Sequence, residues 1–179
     1  MIASCTTFKK SVFAALLALI LPMAVQAQKC KFDEDKKDPF GSGNHRLVTH
    51  KIGPPSWNWN FSLEQNDGKF YISMRMLRAG KMDEVYPAGR KVMLKLENGT
   101  IMELSSSQDF LPAFVVSNDG IIWTNYIPKF EVSQQVVTDL SASRITDVKV
   151  TLGTENILLP KITEKQTEKI KESAGCLLK

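Results

Sequence analysis

Trp57, Trp59 and Phe61 stand two residues apart, with Asn58 and Asn60 between them. Flat rings beside amides are the residue types of a sugar-binding platform, where rings stack on pyranose faces and amides reach hydroxyls. In a strand, however, successive side chains point to opposite faces, so rings and amides at this spacing do not share one surface. The row runs on into Leu63, and beyond Asn66-Asp67-Gly68 it is answered by Phe70, Ile72, Met74 and Met76, which is core composition. The rings therefore read as the buried side of a hairpin. The polar side, with Asn58, Asn60, Tyr71 and Arg75, is the candidate binding surface, although a solvated face accounts for the same residues.

Other chemistry is sparse. Asp33, Glu34, Asp35 and Asp38 suggest calcium, but Asp38 occupies the position where an EF-hand-type loop needs glycine, and Lys36-Lys37 interrupt the ligands. These acids read as a solvated arm. His45 and His50 are the only histidines; five apart, they face opposite sides of a strand, and no acid lies at metal-ligand spacing. No GxSxG elbow, SxxK or Cys–His arrangement is present, and Ser105-Ser106-Ser107 has no base at a definable position. Carboxylate pairs for glycoside hydrolysis are defined in space rather than in sequence. The sequence thus names no catalytic residue and points away from an enzyme. Asn60-Phe61-Ser62 and Asn98-Gly99-Thr100 have the glycosylation-acceptor form, but strand and turn requirements explain both asparagines.

The elements that position these residues are hairpins. His45–Ile52 is a strand candidate stopped by Gly53-Pro54-Pro55. An even-numbered loop at Asn66-Asp67-Gly68, either Asp67-Gly68 or Gln65 to Gly68, puts both apolar rows of the next hairpin on one face. In the following hairpin, a three-residue loop Glu97-Asn98-Gly99 aligns Val92, Leu94 and Leu96 with Thr100, Met102 and Leu104. A third hairpin over Phe114–Tyr126 is apolar on both faces, which predicts a central or well-covered position. The period then changes. Ser133 opens a short helix, Thr146 to Leu152 alternates as a strand, and Thr163 with Gln166 has capping-box form at the start of a charged helix to about Ala174. The fold class is α+β, a hairpin-rich antiparallel sheet with a C-terminal helix–strand–helix; a β-sandwich or partly closed barrel is the alternative.

Lys9 and Lys10, the apolar Ser11–Leu21 and small residues around Ala27 read as a signal peptide over 1–27, with the mature chain starting at Gln28. The apolar stretch is shorter than the roughly 20 residues of a membrane span. Residues 28–44 form an irregular, charged arm and 45–179 a single globular domain. Loss of Lys9 and Lys10 lowers the formal charge from +4 to +2, too small and dispersed to argue for nucleic acid. Cys30 and Cys176, near the two ends of the mature chain, pair in an exported protein; two unpaired thiols are the alternative.

The opening Cys30-Lys31-Phe32-Asp33, with Asp38-Pro39-Phe40-Gly41, resembles the "C-x-y…D-x-F-T-G" start of small exported proteins of unknown function in Bacteroidetes. The Leu94–Gly99 hairpin and the helix ending near Cys176 belong to the same resemblance; Gly41-Ser42-Gly43 stands where that pattern has threonine. The resemblance implies an extracytoplasmic domain and carries over no catalytic residue. Together these readings give an exported, periplasmic or extracellular, non-enzymatic binding domain with a protein or envelope component as partner. They call for no cofactor, no metal, no nucleic acid and no membrane span after signal removal. A carbohydrate-binding or hydrolytic accessory domain using exposed aromatics is the alternative.

Overall fold

Asp67 and Gly68 both adopt positive φ, 50° and 78°, as a two-residue hairpin turn requires. That turn joins β3 (Trp59–Asn66) to β4 (Lys69–Ala79) and sets Phe61 opposite Met74 and Leu63 opposite Ile72. The even loop therefore holds, and Trp59, Phe61, Leu63, Phe70, Ile72, Met74 and Met76 are all buried. The structure, a computed structural model, describes residues 30–37, 39 and 43–179. The signal segment 1–27, Asp38 and the Phe40-Gly41 part of the resemblance lie outside the described residues.

Strand β2 (Asn44–Ile52) pairs with β3, and β1 (Glu34–Lys37) pairs with β2, both antiparallel. The arm expected to be irregular thus contributes a strand. Its alternation is masked in the sequence because all four side chains are charged and it closes a sheet edge. On the other side of the sheet, β4 is long enough to take two partners. Its first half pairs with β9 (Lys129–Val132) and its second half with β8 (Ile122–Tyr126). Pro128, which has no N–H, separates the two, and its carbonyl accepts from the Met74 N–H at 3.1 Å. Strand β7 (Ala113–Val116) ends this seven-stranded, half-barrel sheet.

A second sheet of four strands has the order β11-β10-β5-β6. Here β5 (Lys91–Leu96) and β6 (Ile101–Ser105) pair in the expected register, Val92 with Leu104 and Leu94 with Met102. Gly99 at φ 87° closes the turn, and the Leu96 N–H donates to Thr100 O at 2.8 Å. Helix α1 (Gln134–Ala142) precedes β10 (Ile145–Leu152), and β11 (Glu155–Leu158) precedes helix α2 (Glu164–Leu177). The ending is helix–hairpin–helix, because the four-residue β11 carries only one apolar alternation and leaves little periodic signal.

Thr163 and Gln166 form the full capping box. Helix α2 turns Ile170, Ala174 and Leu177 into the core and runs three residues past Ala174, where Cys176 is bonded to Cys30. That link spans 146 residues, and loop closure of this size stabilises by up to about 5 kcal/mol through the unfolded state. The inner rows of both sheets, α1 and α2 enclose one continuous hydrophobic cluster. Among the described residues, no helix is long and apolar enough to cross a membrane.

Candidate functional site

The outer face of the β3–β4 hairpin carries the sequence candidates, and the structure separates them. Asn60 is the direct cross-strand partner of Arg75, whose Nε donates to Asn125 Oδ1 on β8 at 3.2 Å. Tyr71 lies four residues along β4 and is covered by Lys129, whose Nζ sits 4.3 Å from the ring centroid. Asn58 leaves the strand altogether. It ends the short 3-10 turn Pro55–Trp57 in the left-handed region, φ 51°, a conformation asparagine tolerates. Every one of these four residues is half-buried rather than displayed.

The rest of that face carries a chain of polar contacts. Lys129 meets Glu64 at 2.6 Å, and Glu64 meets His45 at 3.3 Å. Glu34 on β1 approaches the other ring nitrogen of His45 at 3.7 Å. Asp33, one of the acids considered for calcium, instead accepts the Thr49 N–H at 2.6 Å. Among the described residues no cluster of three His, Cys, Asp or Glu is placed to hold a metal. His50 faces the opposite side of β2, where its Nε2 lies 2.8 Å from Ser173 Oγ on α2. Burial lowers its pKa, with Lys169 acting in the same direction against Asp33 and Glu172.

The Phe114–Tyr126 hairpin corrects the expectation of a central, covered position. Strand β7 is the last strand of its sheet, and all four of its residues, Ala113, Phe114, Val115 and Val116, are exposed. Leu111, Ile121, Ile122 and Ile127, on the segments next to β7, are exposed as well, with Leu111 77% and Val116 65% exposed. Apolarity on both faces predicts a central or covered strand, whereas β7 ends its sheet with all four residues exposed. The edge itself is open. The Ser117 N–H donates to Ile121 O at 3.0 Å, so antiparallel alternation makes Val115 and Ala113 the bonded partners of Trp123 and Asn125. Phe114 and Val116 consequently turn their N–H and C=O groups outward. Edge strands of soluble proteins are normally protected by charge, bulges or proline. Here Pro112 stops just short of the strand, and Lys81 Nζ lies 5.5 Å from the centre of the Phe114 ring.

A groove adjoins this hairpin. Strand β3 starts only at Trp59, so Leu77, Arg78 and Ala79 of β4 have no β3 partner, and the 3-10 turn stands in its place. The groove holds about 330 Å³ and is lined by Ser56, Trp57, Trp59, Leu77, Arg78, Ala79 and Trp123. Trp57 and Trp123 are half-buried, whereas Trp59 is buried, and its indole N–H donates to Leu77 O at 3.1 Å. Trp57 is tilted by 53° against Trp59 at 5.2 Å between centroids. Trp57 thus departs from the strand row in which the sequence placed it. No spacing rule links it to Trp123, which lies 66 positions on and enters the groove because β8 pairs Trp123 with Ala79. No protein family, no curated protein and no solved structure matches this chain.

Proposed function

We propose that this chain is an exported, non-catalytic binding domain that engages a protein partner at the β7 edge. One observation carries the reading: a whole strand of exposed apolar side chains at the end of a sheet, with backbone donors and acceptors turned outward. An incoming extended segment would satisfy the outward groups of Phe114 and Val116 while burying side chains on both faces of β7. An exposed contiguous apolar patch of this kind marks an interaction site in soluble proteins. The signal-like leader and the Cys30–Cys176 bond support placement outside the cytoplasm. The outer-face side chains of Tyr71 and Arg75 are engaged within the fold, which favours the hairpin over the sheet face as the contact surface.

The test is a photo-crosslinking amino acid at position 114 in cells that export the protein. The expected result is one discrete protein adduct, lost when Val116→Pro removes an outward N–H without breaking the β7–β8 ladder. No adduct, or an adduct that survives Val116→Pro, contradicts the reading.

A further inference from the structure

All three tryptophans of the chain line the groove between the 3-10 turn and the second half of β4. We infer that this groove is a binding site for a neutral, pyranose-based carbohydrate. The inference stands apart from the β7 edge and does not rest on it.

The chemistry comes from two kinds of wall. Trp57 and Trp123 present partly open indoles, whose electron-rich faces attract the C–H face of a pyranose ring. Arg78 is the polar wall, and its guanidinium is held at 3.1 Å from the carboxylate of Glu155, the first residue of β11, which stands outside the groove lining. Arg78 offers the groove fixed donors, which the hydroxyls of a sugar, each both donor and acceptor, can satisfy. Ser56 adds a hydroxyl at the mouth.

This wall also discriminates. Pairing with Glu155 offsets the charge that Arg78 brings to the groove, which favours a neutral polar ligand over a free anion. A wholly apolar ligand would cover the ion pair without replacing the water it loses. The volume, about 330 Å³, lies at the lower end of the range for small-molecule sites and suits one or two sugar rings in an open cleft.

The alternation that separates rings from amides along a strand has no bearing on this site. Trp57 sits in the 3-10 turn, Trp123 on β8, and the hydrogen-bonding Arg78 on β4. Ala79 stands opposite Trp123 in the register, and a larger residue there would crowd the indole.

Because every tryptophan lines the groove, intrinsic fluorescence reads the site directly. The measurement is a titration of the exported protein with gluco-, xylo-, malto- and chito-trisaccharides, followed by calorimetry on any that responds. At least one trisaccharide is expected to give a saturable blue shift. Trp57→Ala, Trp123→Ala and Arg78→Met are each expected to weaken it by about tenfold or more, Arg78→Met with unchanged melting temperature, whereas Val116→Pro leaves it intact. No response from any of the four sugars at millimolar concentration overturns the inference. So does a response that persists in both Trp57→Ala and Trp123→Ala. If an indole variant fails to fold, undiminished calorimetric binding by Arg78→Met is itself contradictory.

Discussion

Two hairpins of this molecule carry similar apolar side chains and meet opposite fates. Between β3 and β4, Phe61 is 0% exposed and packs among Leu63, Ile72 and Met74. Between β7 and β8, Phe114 is 43% exposed and Val116 more so. The difference is one of position in the sheet. The first hairpin is flanked on both sides and has one polar face, so a single cover of sheet and helix suffices. The second has little polar face and no outer neighbour. An apolar strand left at an edge is a template that a strand from another molecule can extend, which is the basis of the proposed function.

Substitutions can break or sharpen that contrast. Phe61→Ala should destabilise by about 3–5 kcal/mol in chemical denaturation, and Trp59→Ala by a similar amount, as large aromatic truncations in cores do. A cost below about 1 kcal/mol for either would show that the β3–β4 row is not core. Removing the bridge with Cys30→Ala and Cys176→Ala together should cost about 2–5 kcal/mol, with the loss expressed equally in the melting of both sheets.

Tyr86 is a smaller case with the opposite sign. Its ring is buried and its hydroxyl has no hydrogen-bond partner among the described residues. Burial, opposed by Arg90, pushes its pKa up from 10.0 to about 12. The folded state holds the phenol neutral while the unfolded chain ionises, so its contribution is present below pH 10 and lost between pH 10 and about 12. Tyr86→Phe should raise stability by about 1 kcal/mol at neutral pH and flatten that alkaline loss. A destabilised variant would mean that the hydroxyl is bonded.

His50 gives the acid counterpart. Its folded pKa is lowered, first by burial, so its contribution is present above the ordinary value of 6.5 and falls away as pH drops below it. His50→Gln, keeping a partner for Ser173, should shrink the loss of melting temperature between pH 7 and pH 5; an unchanged slope would exclude His50 as its source. The smallest effect belongs to the exposed edge. Phe114→Ala should change the stability of the isolated protein by less than about 1 kcal/mol, in contrast to Phe61→Ala.

The parity of the loop at Asp67-Gly68 and the register set by Gly99 were legible because period-2 patterns and turn residues are local. The capping box at Thr163 and the pairing of Cys30 with Cys176 were legible for similar reasons of residue type and compartment. Long-range placement was not. Nothing in Ala113–Val116 says whether its cover comes from the same chain, and nothing between Trp57 and Trp123 says that they share a groove. Asn58 lost its place on the polar face because Pro54 and Pro55 start a turn that displaces the strand to Trp59. The polar character of the outer face is legible, but its side-chain contacts depend on β1 and β9, four-residue strands that leave little periodic signal.

Residue-resolved amide exchange tests the central claim most directly, first on the isolated monomer and then on the complex recovered through position 114. In the monomer, the amides of Phe114 and Val116 should exchange fast while that of Val115 is slow. In the complex, both should become protected with no change along β3. Protection of Phe114 and Val116 already present in the monomer, or fast exchange that persists in the complex, would contradict an open edge that a protein partner fills.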